Sequence, residues 1–204
     1  MPALAVQRRC VASLAAALGL LVAGCGAERQ VATVGGPAAE PQGIALYASP
    51  DGDVRFQRPA NWTVVDQTAP GVATIVSGEA VVAVFAYRRD AVPTAKQDRE
   101  EALDALRDEL GDESQDFRVS EGTLRRVGDL DAVEAQGTGT VGSRKVTLRS
   151  VHAFDGNGEY VIEAYAPPKA FKDLDRTVFE PLIDSLKVRG DPVEVPADAT
   201  ETGG

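Results

Sequence analysis

The sequence predicts one α+β domain in which a mostly antiparallel sheet packs against helices. Three observations predict it: a near-continuous apolar, β-branched run at residues 78–87, leucines at helical spacing over residues 95–110, and alternating segments joined by turn residues over 132–166. Strands, helix, strands and helix around one core define this class. The length of 204 residues suits one such domain with extensions.

The first elements carry strand signals. The segment SPDGDVRF, Ser49–Phe56, places turn residues between apolar ones. The segment GEAVVAVFAY, Gly78–Tyr87, is typical of a central strand that is covered on both faces. This second run is therefore the predicted centre of the sheet.

A helix is predicted over residues 95–110. Thr94 with Gln97 forms a capping box, and Gly111 supplies a stop. Three leucines fall at helical spacing between these signals: Leu103, Leu106 and Leu110.

Strand chemistry then returns for a predicted antiparallel meander. Gly142-Ser143 and the DGNGE segment, Asp155–Glu159, offer two hairpin turns. The strand signals lie at residues 117–119, 132–141, 145–154 and 160–166.

The last element is a second predicted helix within residues 167–188, packed on the sheet. Pro181 should kink or divide it, because proline cannot donate a helical hydrogen bond. Its apolar positions are in helical register: Phe171, Leu174, Val178 and Leu182.

The charge of the chain argues against nucleic acid as a partner. The formal net charge is −10, and it becomes −12 without residues 1–24, which hold Arg8 and Arg9 and no acid. Such a surface repels phosphate backbones and lacks a polybasic membrane clamp. The chain has two cysteines, Cys10 and Cys25, so cleavage before Cys25 would exclude an internal disulfide and any cysteine-based zinc site.

Residues 1–24 have the organisation of an export signal. Arg8 and Arg9 form a positive start, and an apolar run of 12 residues follows from Val11 to Val22. This run is shorter than the roughly 17 to 25 residues that a spanning helix needs. An ordinary secretory signal is the alternative interpretation.

The end of this leader, Val22-Ala23-Gly24-Cys25, resembles the bacterial lipobox. The resemblance implies a diacylglyceryl thioether on the Cys25 sulfur, cleavage between Gly24 and Cys25 by the lipoprotein signal peptidase, and acylation of the new amino group. Two or more acyl chains hold a protein stably on a bilayer. The expected location is the extracytoplasmic face of the cell membrane, with the lipid on Cys25 as the membrane contact.

The exported chain divides into three predicted parts. Residues 25–43, rich in Gly, Pro and small residues, form a flexible tether. Residues 44–188 form the folded body, and residues 189–204 form a disordered tail.

Other candidate sites favour structural interpretations, and no catalytic, cofactor-binding or metal-binding residue is assigned. His152, the single histidine, shares an alternating strand face with apolar residues, so a hydrogen-bonded sheet histidine is expected. The segment that begins with DGNGE has Tyr160 where a calcium loop has its glycine and Ala166 where the loop has its bidentate glutamate, so a hairpin turn is expected there. Arg189-Gly190-Asp191 matches a three-residue integrin motif, which is too short to assign a function. Paired acids in the helices are expected on solvated surfaces: Glu100 with Glu101, and Asp173 with Asp175.

Two segments of the body carry a family resemblance. FQRPANW, Phe56–Trp62, resembles the F-x-x-P-x-x-W entry of PsbP/Mog1-like domains, and FEPLIDSLKV, Phe179–Val188, resembles the ending of these domains and of actinobacterial LpqN-type lipoproteins. The resemblance covers most of residues 44–188 and implies an α/β/α sandwich. Trp62 is then expected as a core anchor.

The resemblance implies no activity, because members of the group serve as assembly factors or binding partners and share no catalytic residues. The leading hypothesis is a lipid-anchored, extracytoplasmic, non-enzymatic binding or assembly module of the cell envelope. One alternative is a carrier of a lipid or small apolar ligand between sheet and helix. The other is a hydrolase, which needs acids and His152 to converge in one cleft.

Overall fold

The computed structural model describes residues 35–94, 96–112, 118–119, 122–141 and 143–189; for residues 109–112 and 141 it describes the backbone alone. Its strands are β1 (Ile44–Ala48), β2 (Val54–Pro59), β3 (Thr63–Asp66), β4 (Gly71–Ser77), β5 (Ala80–Arg88), β6 (Arg118–Val119), β7 (Thr123–Val127), β8 (Leu130–Val141), β9 (Arg144–Asp155), β10 (Gly158–Ala166) and β11 (Lys187–Val188). Its helices are α1 (Lys96–Asp112), α2 (Pro168–Leu174) and α3 (Glu180–Asp184), and a π-helical turn, Asp175–Phe179, joins α2 to α3.

The strands form two antiparallel sheets. The large sheet has the order β3-β4-β5-β10-β9-β8-β6, and β7 also pairs with β8. The small sheet has the order β1-β2-β11. Every strand pair in the described residues is antiparallel, which confirms the predicted sheet type. The interior position of the predicted central strand is confirmed, because β5 lies between β4 and β10. Its predicted coverage on both faces is only partial, because Ala83, Phe85 and Tyr87 on the back face are half-buried.

The predicted meander is confirmed as β8, β9 and β10. DGNGE spans the turn between β9 and β10, so its interpretation as a hairpin turn is confirmed. Gly156 in this turn has a φ of +55°, a conformation that hairpin turns require and that side chains other than glycine adopt at a cost.

Cross-strand register gives the large sheet two distinct faces. Val82, Ala164 and Arg149 lie side by side on one face, which we call the front face. Phe85, Val161 and His152 lie side by side on the other, which we call the back face. Neighbouring residues along a strand alternate between the two faces.

The main core lies on the front face, beneath the α2–α3 segment. Phe179 from the π-helical turn and Leu182 and Ile183 from α3 are almost fully buried there. Phe56 of the small sheet and Trp62 join the same cluster, so Trp62 is the core anchor that the sequence predicts. One core therefore holds both sheets and the second helical region together.

Both predicted helices are confirmed, with two differences in detail. α1 runs to Asp112, so Gly111 lies inside its last turn rather than after it. The second helical region is interrupted where the Glu180 N–H donates to the Asp175 carbonyl, five residues back. Pro181, which has no N–H, follows immediately at the start of α3.

Residues 35–43, which the sequence analysis assigns to the tether, make contacts with the body. The Gly36 carbonyl accepts from the Glu79 N–H at 2.9 Å. The Trp62 Nε1–H donates to the Ala39 carbonyl at 3.3 Å, and the Asn61 side chain donates to the Glu40 carbonyl at 2.9 Å. Hydrogen-bonded contact with the body therefore begins upstream of residue 44.

Candidate functional site

Three groups of polar side chains are candidates for function: a histidine–glutamate pair on the back face, an arginine–carboxylate network on the front face, and a cleft at one end of the sheet. Gly24 and Cys25, which the lipobox resemblance assigns to cleavage and lipidation, lie outside the described residues. Of the integrin-like tripeptide 189–191, only Arg189 is described, and its N–H donates to the Asp53 carbonyl at 2.8 Å.

The histidine–glutamate pair consists of His152 on β9 and Glu159 on β10. The Nδ1 of His152 lies 2.6 Å from a Glu159 carboxylate oxygen, and only 14% of the histidine side chain is exposed. This confirms the predicted hydrogen-bonded sheet histidine. Arg89 forms an ion pair with the same carboxylate and lies over the Tyr87 ring, 5.2 Å from its centroid.

Ser150 lies two residues before His152 on the same face. Its side chain is fully buried, and its Oγ has no hydrogen-bond partner in the described structure. A nucleophilic serine needs a hydrogen bond to its base and access to substrate. Ser150 therefore lacks both features, although a serine, a histidine and a carboxylate share this region of the back face.

The Glu159 carboxyl has a lowered pKa in the folded protein. Burial acts to raise the pKa, but the hydrogen bond from His152 and the positive charge of Arg89 outweigh burial. A lowered pKa in the folded state means that this carboxylate stabilises the protein above its ordinary value of 4.5, and that the stabilisation is lost as the pH falls through the folded value.

We therefore expect Glu159→Gln to reduce the acid sensitivity of the protein. Urea unfolding at pH 7 and at about pH 3.5 gives the loss of free energy of unfolding on acidification, and this loss should be smaller in the variant than in the wild type. Asn157→Ala, in the same turn, changes no titrating group and should keep the wild-type loss. Equal losses in Glu159→Gln and wild type would show that the pair does not contribute to acid sensitivity.

The arginine–carboxylate network connects the front face to the α2–α3 segment. Arg149 on β9, only 7% exposed, contacts a Glu134 oxygen and an Asp175 oxygen at 2.8 Å each and also pairs with Glu180. Arg125 on β7 contacts Glu134 at 2.6 Å and Glu180 at 3.2 Å.

The charges in this network reinforce one another. Burial acts to lower the pKa of the Arg149 guanidinium, but hydrogen bonds and attraction from Glu134 and Asp175 raise it overall. Burial likewise acts to raise the pKa of Glu180, which Arg125 and Arg149 lower overall. Arg125 and Arg149 therefore stay charged, and their ion pairs connect the sheet to the α2–α3 segment; these are the ionic ties of this segment.

This network has no counterpart among the sequence predictions, and the predicted solvated position of Asp175 is wrong. Asp175 is half-buried because the π-helical turn directs it toward Arg149. The other predicted surface acids fit better: Glu100 is exposed beside Lys96, and Asp173 is exposed. The available signal was the presence of arginines inside two strands, since a charged residue on a covered face needs a partner.

The cleft lies at the end of the sheet where β10 leads into α2. Its volume is about 480 Å³, within the range of small-ligand sites. Two cations, Arg118 and Lys145, and two hydroxyl-bearing residues, Thr138 and Thr140, contribute to its walls. Gly139, Val146 and Pro168 complete the described lining, which contains no acidic side chain.

The described residues show neither a metal site nor a membrane-spanning helix. They contain no group of three histidine, cysteine, aspartate or glutamate side chains placed to hold a metal ion. Within the same ranges, no helix has the length and apolarity needed to cross a membrane.

Comparison with known proteins defines the class of fold. No family model matches the chain, and no curated protein matches it. Solved structures do match: cyanobacterial PsbP (CyanoP) from Synechocystis has a TM-score of 0.54 at 11% identity, and the match covers 74% of this chain and 95% of that one.

Two further structures give the same result. LpqN of Mycobacterium tuberculosis, a protein involved in cell envelope biogenesis, has a TM-score of 0.54 at 12% identity over 72% of this chain and 91% of its own. The Ran-binding protein Mog1p of Saccharomyces cerevisiae has a TM-score of 0.50 at 7% identity over 72% of this chain and 96% of its own. The chain therefore has a PsbP/Mog1/LpqN-like fold.

Proposed function

We propose that this protein is a bacterial lipoprotein that acts as a non-enzymatic binding or assembly module on the extracytoplasmic face of the cell membrane. The observation that carries the proposal is the leader that ends in Val22-Ala23-Gly24-Cys25. The fold gives support, because LpqN, which has a similar structure, is involved in cell envelope biogenesis. The partner is an envelope protein or a small ligand.

We also propose that the domain is an α/β/α sandwich. The α2–α3 segment packs on the front face through Phe179 and Leu182. Arg99 of α1 pairs at 2.8 Å with Asp131, whose register with Phe154 assigns it to the back face. Helices on opposite faces of one sheet are what this architecture requires.

Three features favour binding over catalysis. His152 is engaged by Glu159, the Ser150 hydroxyl is buried, and the front-face carboxylates are engaged by Arg125 and Arg149. Buried residues also fill the interface between the front face and the α2–α3 segment, which favours the binding module over a carrier with an apolar cavity there.

Replacement of the lipid-bearing cysteine tests the location. We expect Cys25→Ala to remain uncleaved or mislocalised, because the diacylglyceryl group attaches to the Cys25 sulfur before cleavage. Mass spectrometry of the N-terminal peptide reads out lipidation and cleavage, and detergent phase separation reads out the anchor. Cys10→Ala is the matched control and should be processed like the wild type, since Cys10 precedes the apolar run.

Cleavage and membrane retention of Cys25→Ala at the wild-type level would contradict the anchor. The binding role has a separate test, in which crosslinked protein is purified from detergent-solubilised membranes and its partners are identified. A specific partner that is absent from a Cys25→Ala sample would support the module. An exhaustive experiment that recovers none would count against it.

A further inference from the structure

The cleft beside α2 differs in charge from the molecule as a whole. The chain without residues 1–24 carries a net charge of −12, yet the described lining holds Arg118 and Lys145 and no acid. Neither cation forms an ion pair within the described residues, whereas Arg125 and Arg149 bind several carboxylates each. The positive charge in the cleft is therefore not neutralised by the described part of the protein.

The side chains of the cleft converge because of strand register. Arg118 of β6 lies opposite Thr138 of β8, and Thr140 lies opposite Lys145 of β9. All four residues are on the front face, where Thr138 also pairs with Thr147. Two cations and two hydroxyl groups thus line one concave surface.

This set of side chains suits a phosphate group. A guanidinium offers a fork of N–H donors to two phosphate oxygens, an ammonium adds a point charge, and threonine hydroxyls donate to further oxygens. The volume of about 480 Å³ leaves space for a small organic group attached to the phosphate.

The cleft also lies where the chain from Cys25 reaches the body. Gly36 accepts a hydrogen bond from Glu79, in the turn between β4 and β5. Glu79 in turn pairs with Arg144 at 3.6 Å, and Arg144 immediately precedes Lys145. Eleven residues link Gly36 back to Cys25 and span at most about 40 Å, so under the proposed lipid anchor the cleft is within reach of the bilayer surface.

We propose that this cleft is a binding site for a phosphate-bearing ligand, with Arg118 and Lys145 as its charged contacts. The ligand is either the headgroup of an anionic phospholipid or a soluble phosphate compound. The placement next to the bilayer rests on the proposed lipid anchor, but the site itself does not.

The test measures how fast acetic anhydride modifies Lys145 in the protein expressed from the full sequence and purified from a whole-cell extract in neutral detergent. Two probes are added separately: inorganic phosphate, and phosphatidylglycerol mixed into the micelles. Only unoccupied protein reacts, so a probe at about ten times its dissociation constant should slow the modification about tenfold. Lys187, exposed and unpaired within the described residues, lies beside the β7–β8 turn at the opposite end of the sheet and is the internal control.

Arg118→Gln should abolish the protection while Lys145 remains as the reporter. Arg88→Gln makes the same change of charge outside the cleft and should leave the protection intact. Protection by phosphatidylglycerol alone supports a headgroup site, and protection by inorganic phosphate alone or by both probes supports a site that accepts soluble phosphates.

Three results would overturn the proposal: no protection by either probe, equal protection of Lys187, or full protection in Arg118→Gln. Mass spectrometry of the N-terminal peptide in the same sample reports lipidation independently. An unlipidated protein whose Lys145 is protected by inorganic phosphate would refute the anchor and keep the site, so the two proposals fail separately.

Discussion

Arg149→Ala should lower the free energy of unfolding by about 3 kcal/mol, because the substitution removes a buried guanidinium and leaves its carboxylate partners on the sheet and on the helical segment without that ion pair. Arg149 contacts Glu134, Asp175 and Glu180, which belong to the sheet, the π-helical turn and α3. The loss should lie near the lower end of the range for buried pairs, since Glu180 and Asp175 are partly exposed and Arg125 still neutralises Glu134.

Urea unfolding of the mature protein measures this effect through Trp62, the single tryptophan, which is buried in the core. The control is Arg126→Ala, which removes a neighbouring arginine whose side chain is 61% exposed and 3.4 Å from Asp131. This exposed pair should contribute about 0.5 kcal/mol or less. If both variants lost the same small amount, the network would not be what fastens α2–α3 to the sheet.

A double-mutant cycle with Glu134→Gln separates the pairwise attraction from the loss of arginine packing. Glu134 lies between the two arginines, 2.8 Å from Arg149 and 2.6 Å from Arg125. Residues in one ionic network show coupling energies of about 0.5–3 kcal/mol. Additive losses would mean that Arg149 acts through its aliphatic stem alone.

Local patterns in the sequence are sufficient for the elements whose burial is regular. β10 is buried along its whole length and β5 along most of its front face, which accounts for their long apolar runs. The β9–β10 turn is encoded by DGNGE, with a glycine where φ is positive. The pairing of β5 with β10 has no local signal, because residues 89–157 lie between the two strands along the chain.

Strands whose stability depends on distant partners are the ones that the sequence analysis misses. β7, with the sequence TLRRV, has no clean alternation because Arg125 occupies a front-face position. That position is tolerable only where Glu180 and Asp184 approach it from the helical region, 55 and 59 residues later.

The candidate sites also differ in whether local sequence patterns or distant partners determine them. The histidine–glutamate pair was open to prediction, since β9 and β10 form a hairpin in which His152 and Glu159 are diagonal neighbours on one face. The cleft was not, because β6 has only two residues and its register with β8 emerges only from the folded sheet. The lipidation that we propose at Cys25 needs no tertiary structure, because export and lipidation act on a linear signal.

Phe179→Ala should destabilise the protein by about 3–5 kcal/mol, the cost of a large cavity in a close-packed core. Phe179 is fully buried, its ring centroid lies 5.7 Å from that of Phe171, and it belongs to the π-helical turn between α2 and α3. Urea unfolding followed by Trp62 fluorescence measures the loss, and Phe179→Leu, which leaves a smaller cavity, should lose clearly less.

Leu46→Ala is the matched control on the surface. Leu46 on β1 is 67% exposed, so its truncation should change the free energy of unfolding by about 0.5 kcal/mol or less. The comparison decides whether the front face and the α2–α3 segment share one cooperative core. A loss of less than about 1 kcal/mol in Phe179→Ala would mean that this segment opens without unfolding the sheet, and the ionic ties of Arg125 and Arg149 would then be its principal attachment.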